Sequence, residues 1–99
     1  MAIEIDCSPE EGGWRCLVIV SAQASRTTHI VDVAKADLER LDPGAAAPDD
    51  LARASFEFLL ERESNASILR EFELSEIGRY FPEYDQVMRE RMAGHQRAG

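Results

Sequence analysis

Ala2-Ile-Glu-Ile-Asp-Cys7, Ser8-Pro-Glu-Glu-Gly-Gly13 and Trp14-Arg-Cys-Leu-Val-Ile-Val-Ser21 follow one another, and their reading decides the fold. In the first stretch apolar and acidic residues alternate strictly, so Ile3, Ile5 and Cys7 share one face while Glu4 and Asp6 share the other. That is the period of a half-buried strand. The second stretch is turn chemistry, with Gly12 and Gly13 free to adopt positive φ. The third is β-branched and apolar. A further run of that kind, Thr27 to Val33, follows a polar turn at Gln23 to Arg26 and reads as a third strand.

Pairing these strands fixes which face each side chain takes, because a slip of one residue exchanges the faces. Cys7 opposite Cys16 sets Ile5 against Val18 and Ile3 against Val20, with Glu11-Gly12 as a two-residue turn. Arg15 opposite Asp32 sets Leu17 against Ile30 and Val18 against His29. This second register joins an opposite-charge pair to an apolar one.

The remainder reads as helices. Lys35 to Leu41 forms a short one, and residues 42–50, with Pro43, Gly44 and Pro48, form a small-residue loop and natural hinge. A helix over 48–63 begins with Pro48 in its first turn and Asp49 and Asp50 at its positive end. Its apolar side carries Leu51, Ala54, Phe58 and Leu59, widened by Phe56 and Leu60, with Phe58 and Leu59 expected against Val18, Val31 and Ile68. Asn65 is placed to cap a helix over 66–72 and Ser75 one over 75–81. Pro82 opens a last amphipathic stretch over 82–93, and residues 94–99 read as a frayed tail. The expected class is α+β: a three-stranded antiparallel sheet (a β-meander) followed by four or five short helices on one face, in a single domain over 1–93.

The chain has 99 residues, enough for one modest core, and an apolar fraction of 44% that argues against wholesale disorder. Its formal net charge is -8, and Lys35 is the only lysine among eleven basic residues. Such a chain is repelled at long range by nucleic acid and anionic lipid and attracted to a basic protein. The N-terminal stretch has neither the basic nor the apolar region of a signal peptide, and Cys16 to Val20 is too short to span a bilayer. The expected location is cytoplasmic, with Cys7 and Cys16 as packed thiols.

No catalytic, cofactor-binding or metal-binding residue stands out. The two cysteines match neither C-x-x-C nor a zinc-ligand spacing. His29 and Asp32 are three residues apart on a strand and so point to opposite faces, and His95 lies in the tail. Glu57/Glu61 and Glu73/Glu76 read as solvated helix faces. Ile68 to Phe81 mimics a helix-turn-helix, but Pro82 stops its second helix early and the segment carries more acid than base.

Ser55-Phe-Glu-Phe-Leu-Leu-Glu-Arg-Glu63, with Ser67-Ile-Leu-Arg70 and Arg79-Tyr-Phe-Pro-Glu-Tyr84, resembles a pattern seen in small uncharacterised bacterial proteins. The resemblance covers about a third of the chain and implies no function.

The reading these features favour is a small acidic bacterial module that binds or regulates a protein partner, not an enzyme. The partner is either a more basic protein or a second copy forming a homodimer; membrane is excluded and nucleic acid disfavoured. The expected contact surface is the sheet face away from the helices: Leu17, Ile19 and Ile30, flanked by Arg15 and Asp32 and edged by Glu4, Asp6 and Arg26. A small helix-turn-helix DNA-binding regulator and a thiol-dependent enzyme or enzyme subunit are the alternatives.

Overall fold

The computed structural model describes residues 1–22 and 24–97, with side chains described as far as Gly94. Strands β1 (Ala2–Glu10), β2 (Gly13–Ala22) and β3 (Ser25–Ala34) form an antiparallel meander. Both registers are those the sequence dictates: Cys7 faces Cys16, Ile5 faces Val18, Arg15 faces Asp32 and Leu17 faces Ile30. The β1–β2 turn is Glu11-Gly12, and Gly12 alone takes positive φ there (80°). Gly13 is fixed by crowding, since a Cβ on it would lie 2.1 Å from the Val33 carbonyl oxygen.

The sheet has a fourth strand that the sequence reading missed. β4 (Glu71–Glu73) runs parallel to β3, with Val31 opposite Phe72, so the sheet is four-stranded and mixed, in the order β1-β2-β3-β4. A parallel neighbour needs a crossover long enough to carry the chain back. Helices α1 (Lys35–Leu41) and α2 (Asp49–Leu60) and a 3-10 turn (Asn65–Ser67) supply it. The helix expected over 66–72 is therefore replaced by the end of that turn and by β4. A 3-10 turn at Leu74–Glu76 leads into α3 (Ile77–Tyr80), shorter than the helix expected over 75–81, and α4 (Tyr84–Arg97) closes the described chain. The tail expected over 94–99 is helical as far as Arg97, and residues 98 and 99 lie outside the described residues.

α1 and α2 meet the sheet, at β3 and β1, on the face where Cys16, Val18, Val20, Val31 and Val33 are fully or almost fully buried, and α4 packs on α1 and α2. α2 is the centre of this layer. Leu51, Ala52, Ala54, Ser55, Phe56, Phe58 and Leu59 are all buried, more than half its circumference, which marks a helix flanked on two sides. Phe56 looks toward the sheet side, with ring centroids 5.3 Å from His29 and 6.0 Å from Phe72. Phe58, expected against the sheet, instead meets Phe81 and Tyr84 edge-on at 5.7 and 5.4 Å. The arrangement follows from helix geometry, since residues two apart are some 200° apart around the axis.

Cys7 and Cys16 are joined by a disulfide, with Cα atoms 4.0 Å apart. Their facing positions were legible, but the expectation of packed thiols is overturned. Cysteines directly opposite on neighbouring strands lie within bonding reach, whatever the composition suggests about compartment.

Candidate functional site

The outer sheet face is built by the pleat. Even-numbered residues of β1 and β3 and odd-numbered residues of β2 and β4 project from it, since their neighbours in sequence point into the helical layer. Leu17 sits in the middle, between Asp6 on β1 and Ile30 on β3; Ile19 lies between Glu4 and Thr28. Leu17 is 38% exposed, and Ile19 and Ile30 are half-buried among their neighbours, with the helices on the opposite side.

Around this patch the charges are organised by Arg15. Its Nε donates to Asp32 Oδ1 at 3.1 Å, and the guanidinium lies 3.6 Å from Glu71 and 4.0 Å from Glu10. The Asp32 hydrogen bond and charge hold the Arg15 guanidinium above its ordinary value, so it stays cationic. By the pleat the face presents six carboxylates (Glu4, Asp6, Glu10, Asp32, Glu71 and Glu73) against two guanidiniums, Arg15 and Arg26. All five residues named from the sequence, Arg15, Leu17, Ile19, Ile30 and Asp32, thus fall on one surface.

Several other polar residues weighed from the sequence serve the fold, and the His95 side chain lies outside those described. His29 is buried on the inner face, opposite in direction to Asp32. Its Nδ1 lies 2.7 Å from the Leu69 carbonyl oxygen and its Nε2 2.9 Å from Thr27 Oγ1. A carbonyl only accepts, so Nδ1 carries the hydrogen and Nε2 accepts from Thr27. Asn65 Nδ2 donates to Thr27 Oγ1 and Ser25 Oγ donates to Asn65 Oδ1, each at 3.2 Å. One chain of donors therefore ties β3 to the segment entering β4. Asn65, expected to cap a helix, is part of this chain instead. Glu73 and Glu76 form a reciprocal capping box on the turn before α3, where Ser75 was expected to cap. Glu61 is gripped by Arg91 at 2.8 and 3.0 Å, and that hydrogen bond lowers its pKa.

Tyr84 is fully buried, and its hydroxyl lies 2.7 Å from Ser55 Oγ. Ser55 gives its own hydrogen to the Leu51 carbonyl at 2.8 Å, so Tyr84 is the donor between them. Burial pushes the phenol well above its ordinary range. A folded-state value above the unfolded one means stability is complete below the unfolded pKa and falls as pH rises from there toward the folded value. We expect alkaline unfolding in which the Tyr84 phenolate absorbance appears only as helical circular dichroism is lost. Tyr84→Phe should abolish that absorbance step and move the alkaline unfolding to higher pH, while costing about 1 kcal/mol or less at neutral pH. Phenolate appearing in the folded state would show the ring to be accessible.

One feature escaped the sequence reading. A groove of about 390 Å³ opens between α2 and the β4–α3 segment, floored by Leu59, Ile68, Ile77 and Phe81. Leu69 (51% exposed) and Tyr80 (68%) stand on its rim. Reading 66–72 as a helix hid it. The signal was present in Glu71-Phe-Glu-Leu74, which alternates as β1 does. The same strand removes the first helix of the expected helix-turn-helix mimic.

Among the described residues, no three His, Cys, Asp or Glu side chains are placed to hold a metal, and no helix is long and apolar enough to cross a membrane. Compared with protein-family models, curated proteins and solved structures, the chain matches none of them.

Proposed function

We propose that this chain is a small binding or regulatory module that acts by contact with a more basic protein, through the outer face of its sheet. The observation that supports this most directly is the apolar patch of Leu17, Ile19 and Ile30, set in a border of six carboxylates and two guanidiniums. A sheet face that only met water would not need three aliphatic side chains at its centre. Each is already partly covered, so burying it yields less than the ~1.5–3 kcal/mol of a fully exposed aliphatic group. The patch therefore suits a moderate interface in which the border charges set orientation and approach rate.

The net charge of -8 favours a basic partner over a second copy, and works against nucleic acid and anionic membrane. A non-enzymatic role is the better reading because the polar ends of His29 and Tyr84 are already engaged within the fold. We place the action in the cytoplasm of a bacterium, where the Cys7–Cys16 bond would meet a reducing pool; trapping free thiols at lysis tests that placement.

The decisive variant is Ile19→Asp. It should leave the fold intact, because Ile19 lies on the outer face, and abolish recovery of partners in a pull-down from cell extract. Light scattering on the same variant reports whether any self-association of the parent is lost with it. A folded Ile19→Asp protein that retains the parent's associations would move the contact surface elsewhere, and an unfolded one would make Ile19 a core residue.

A further inference from the structure

The edge of β1 carries an unused set of backbone hydrogen-bonding groups. In an antiparallel pair, residues alternate between hydrogen-bonded pairs, with Cα atoms ~5.5 Å apart, and non-bonded pairs nearer ~4.5 Å. The 4.0 Å separation of Cys7 and Cys16 puts them in the second class. Ile5–Val18 and Ile3–Val20 follow by the two-residue alternation. The amides and carbonyls of Ile3, Ile5 and Cys7 therefore point away from β2, toward the free side of the sheet. An independent contact agrees: the Ile3 carbonyl accepts the Arg53 guanidinium from outside, at 2.8 Å. The Ile5 and Cys7 groups have no such partner among the described residues.

An exposed strand edge invites pairing, and proteins usually guard it with prolines, charges or a cover. Here the guards are partial. Pro9 offers no N–H beyond Cys7, and Arg53 occupies one carbonyl at the other end. Between them lies a short open stretch whose outer-face side chains are Glu4 and Asp6, both exposed.

Those two carboxylates select the occupant. In a two-fold antiparallel pairing of β1 with its own copy, same-face residues must meet. Registers centred on Glu4, Ile5 or Asp6 then set a carboxylate directly against a carboxylate, which is destabilising. A strand with lysine or arginine at those positions would gain where the copy loses. On the inner face Ile3 and Ile5 are half-buried and present apolar surface beside α2. We propose that the β1 edge accepts an extended strand from a partner protein, basic on one face and apolar on the other, adding a fifth strand to the sheet. This rests on the protein-contact reading above and shares Glu4 and Asp6 with the border of the Leu17 patch, but docking runs along the backbone edge of β1 and not across the patch.

The probe is a capped peptide of alternating lysine and valine, added to the full chain and read by amide hydrogen exchange. Protection of the Ile5 and Cys7 amides should rise about tenfold or more with the lysine-valine peptide. It should not rise with a glutamate-valine peptide, and raised salt should weaken the effect. Glu4→Lys combined with Asp6→Lys should reverse the choice of peptide. Ile5→Pro removes an N–H that this geometry leaves outside the sheet, so the fold should tolerate it while docking is lost. Should Ile5→Pro fail to fold, the charge-reversal protein still decides. Ile19→Asp sets a further carboxylate opposite Glu4 and so must not weaken docking of the lysine-valine peptide. Peptide-induced changes confined to Leu17, Ile19 and Ile30 and abolished by Ile19→Asp would overturn the edge proposal while sparing the outer-face reading. Equal response to both peptides, or a dimer of the free protein protected at Ile5 and Cys7, would also overturn it.

Discussion

Phe58→Ala should lower stability by ~3–5 kcal/mol, out of a total for such a domain of ~5–15 kcal/mol. Phe58 is fully buried, and its ring is enclosed on several sides: Phe81 and Tyr84 meet it edge-on, and the Arg62 guanidinium lies 3.6 Å from the ring centroid. Truncation removes the ring from all three and leaves a space that α3 and α4 can fill only by moving. Arg62 is also anchored to the Phe58 carbonyl and to Glu83, so its stem stays put while the surface it covers disappears. For a chain of this length the loss corresponds to a melting temperature ~12–20 °C lower. The location of the damage is the sharper test. Amide exchange should accelerate first in α3 and α4, while Phe56→Ala, which removes the ring facing His29 and Phe72, should loosen β4 first. A Phe58→Ala protein as heat-resistant as the parent would mean that α2 is peripheral.

The meander was legible because three independent local signals agreed on it. Alternation in Ile3 to Cys7, the Glu11-Gly12 turn and the Arg15–Asp32 charge pair each pointed to the same register, and with the register came the whole outer face. α1 was legible to the residue, bounded by β3 and by Asp42-Pro43-Gly44. β4 was not, for a physical reason. It is only three residues long, and its place is set by non-local contacts: the Ile30 amide bonds the Arg70 carbonyl, and His29 bonds that of Leu69. Neither partner can be identified from the local sequence, and Ile68, Leu69 and Phe72 also satisfy a helical period. The partition of α2 between sheet and C-terminal helices was likewise hidden. Seven buried positions make a helix look apolar on a broad arc without saying which neighbour takes which part of it.

The disulfide is the other place where a large effect is expected, and it bears on the sheet edge directly. Among the described residues β1 has a strand neighbour on one side only, and its inward side chains Ile3, Ile5 and Cys7 are no more than half-buried. Beyond the β2 ladder it is held chiefly by α2, through Ile3 and Ile5 and the Arg53–Ile3 hydrogen bond. The Cys7–Cys16 bond closes a loop with a sequence separation of 9, and on loop-closure entropy alone that constrains the unfolded chain by ~2–3 kcal/mol. Reduction, or Cys7→Ala combined with Cys16→Ala, should lower the melting temperature by ~8–12 °C. Alanine is the right replacement, because Cys16 is fully buried and a serine hydroxyl there would add an unrelated polar cost. Most of the folded state should survive, since α2, β3 and β4 make their contacts without the bond. Exchange should rise chiefly at the β1 amides, and a strand peptide should dock less well on an edge that is no longer held flat. Thiol labelling with intact-mass measurement establishes that the bond is closed at the start. A melting temperature unchanged by reduction of a closed bond would show that the β1–β2 ladder alone fixes the edge.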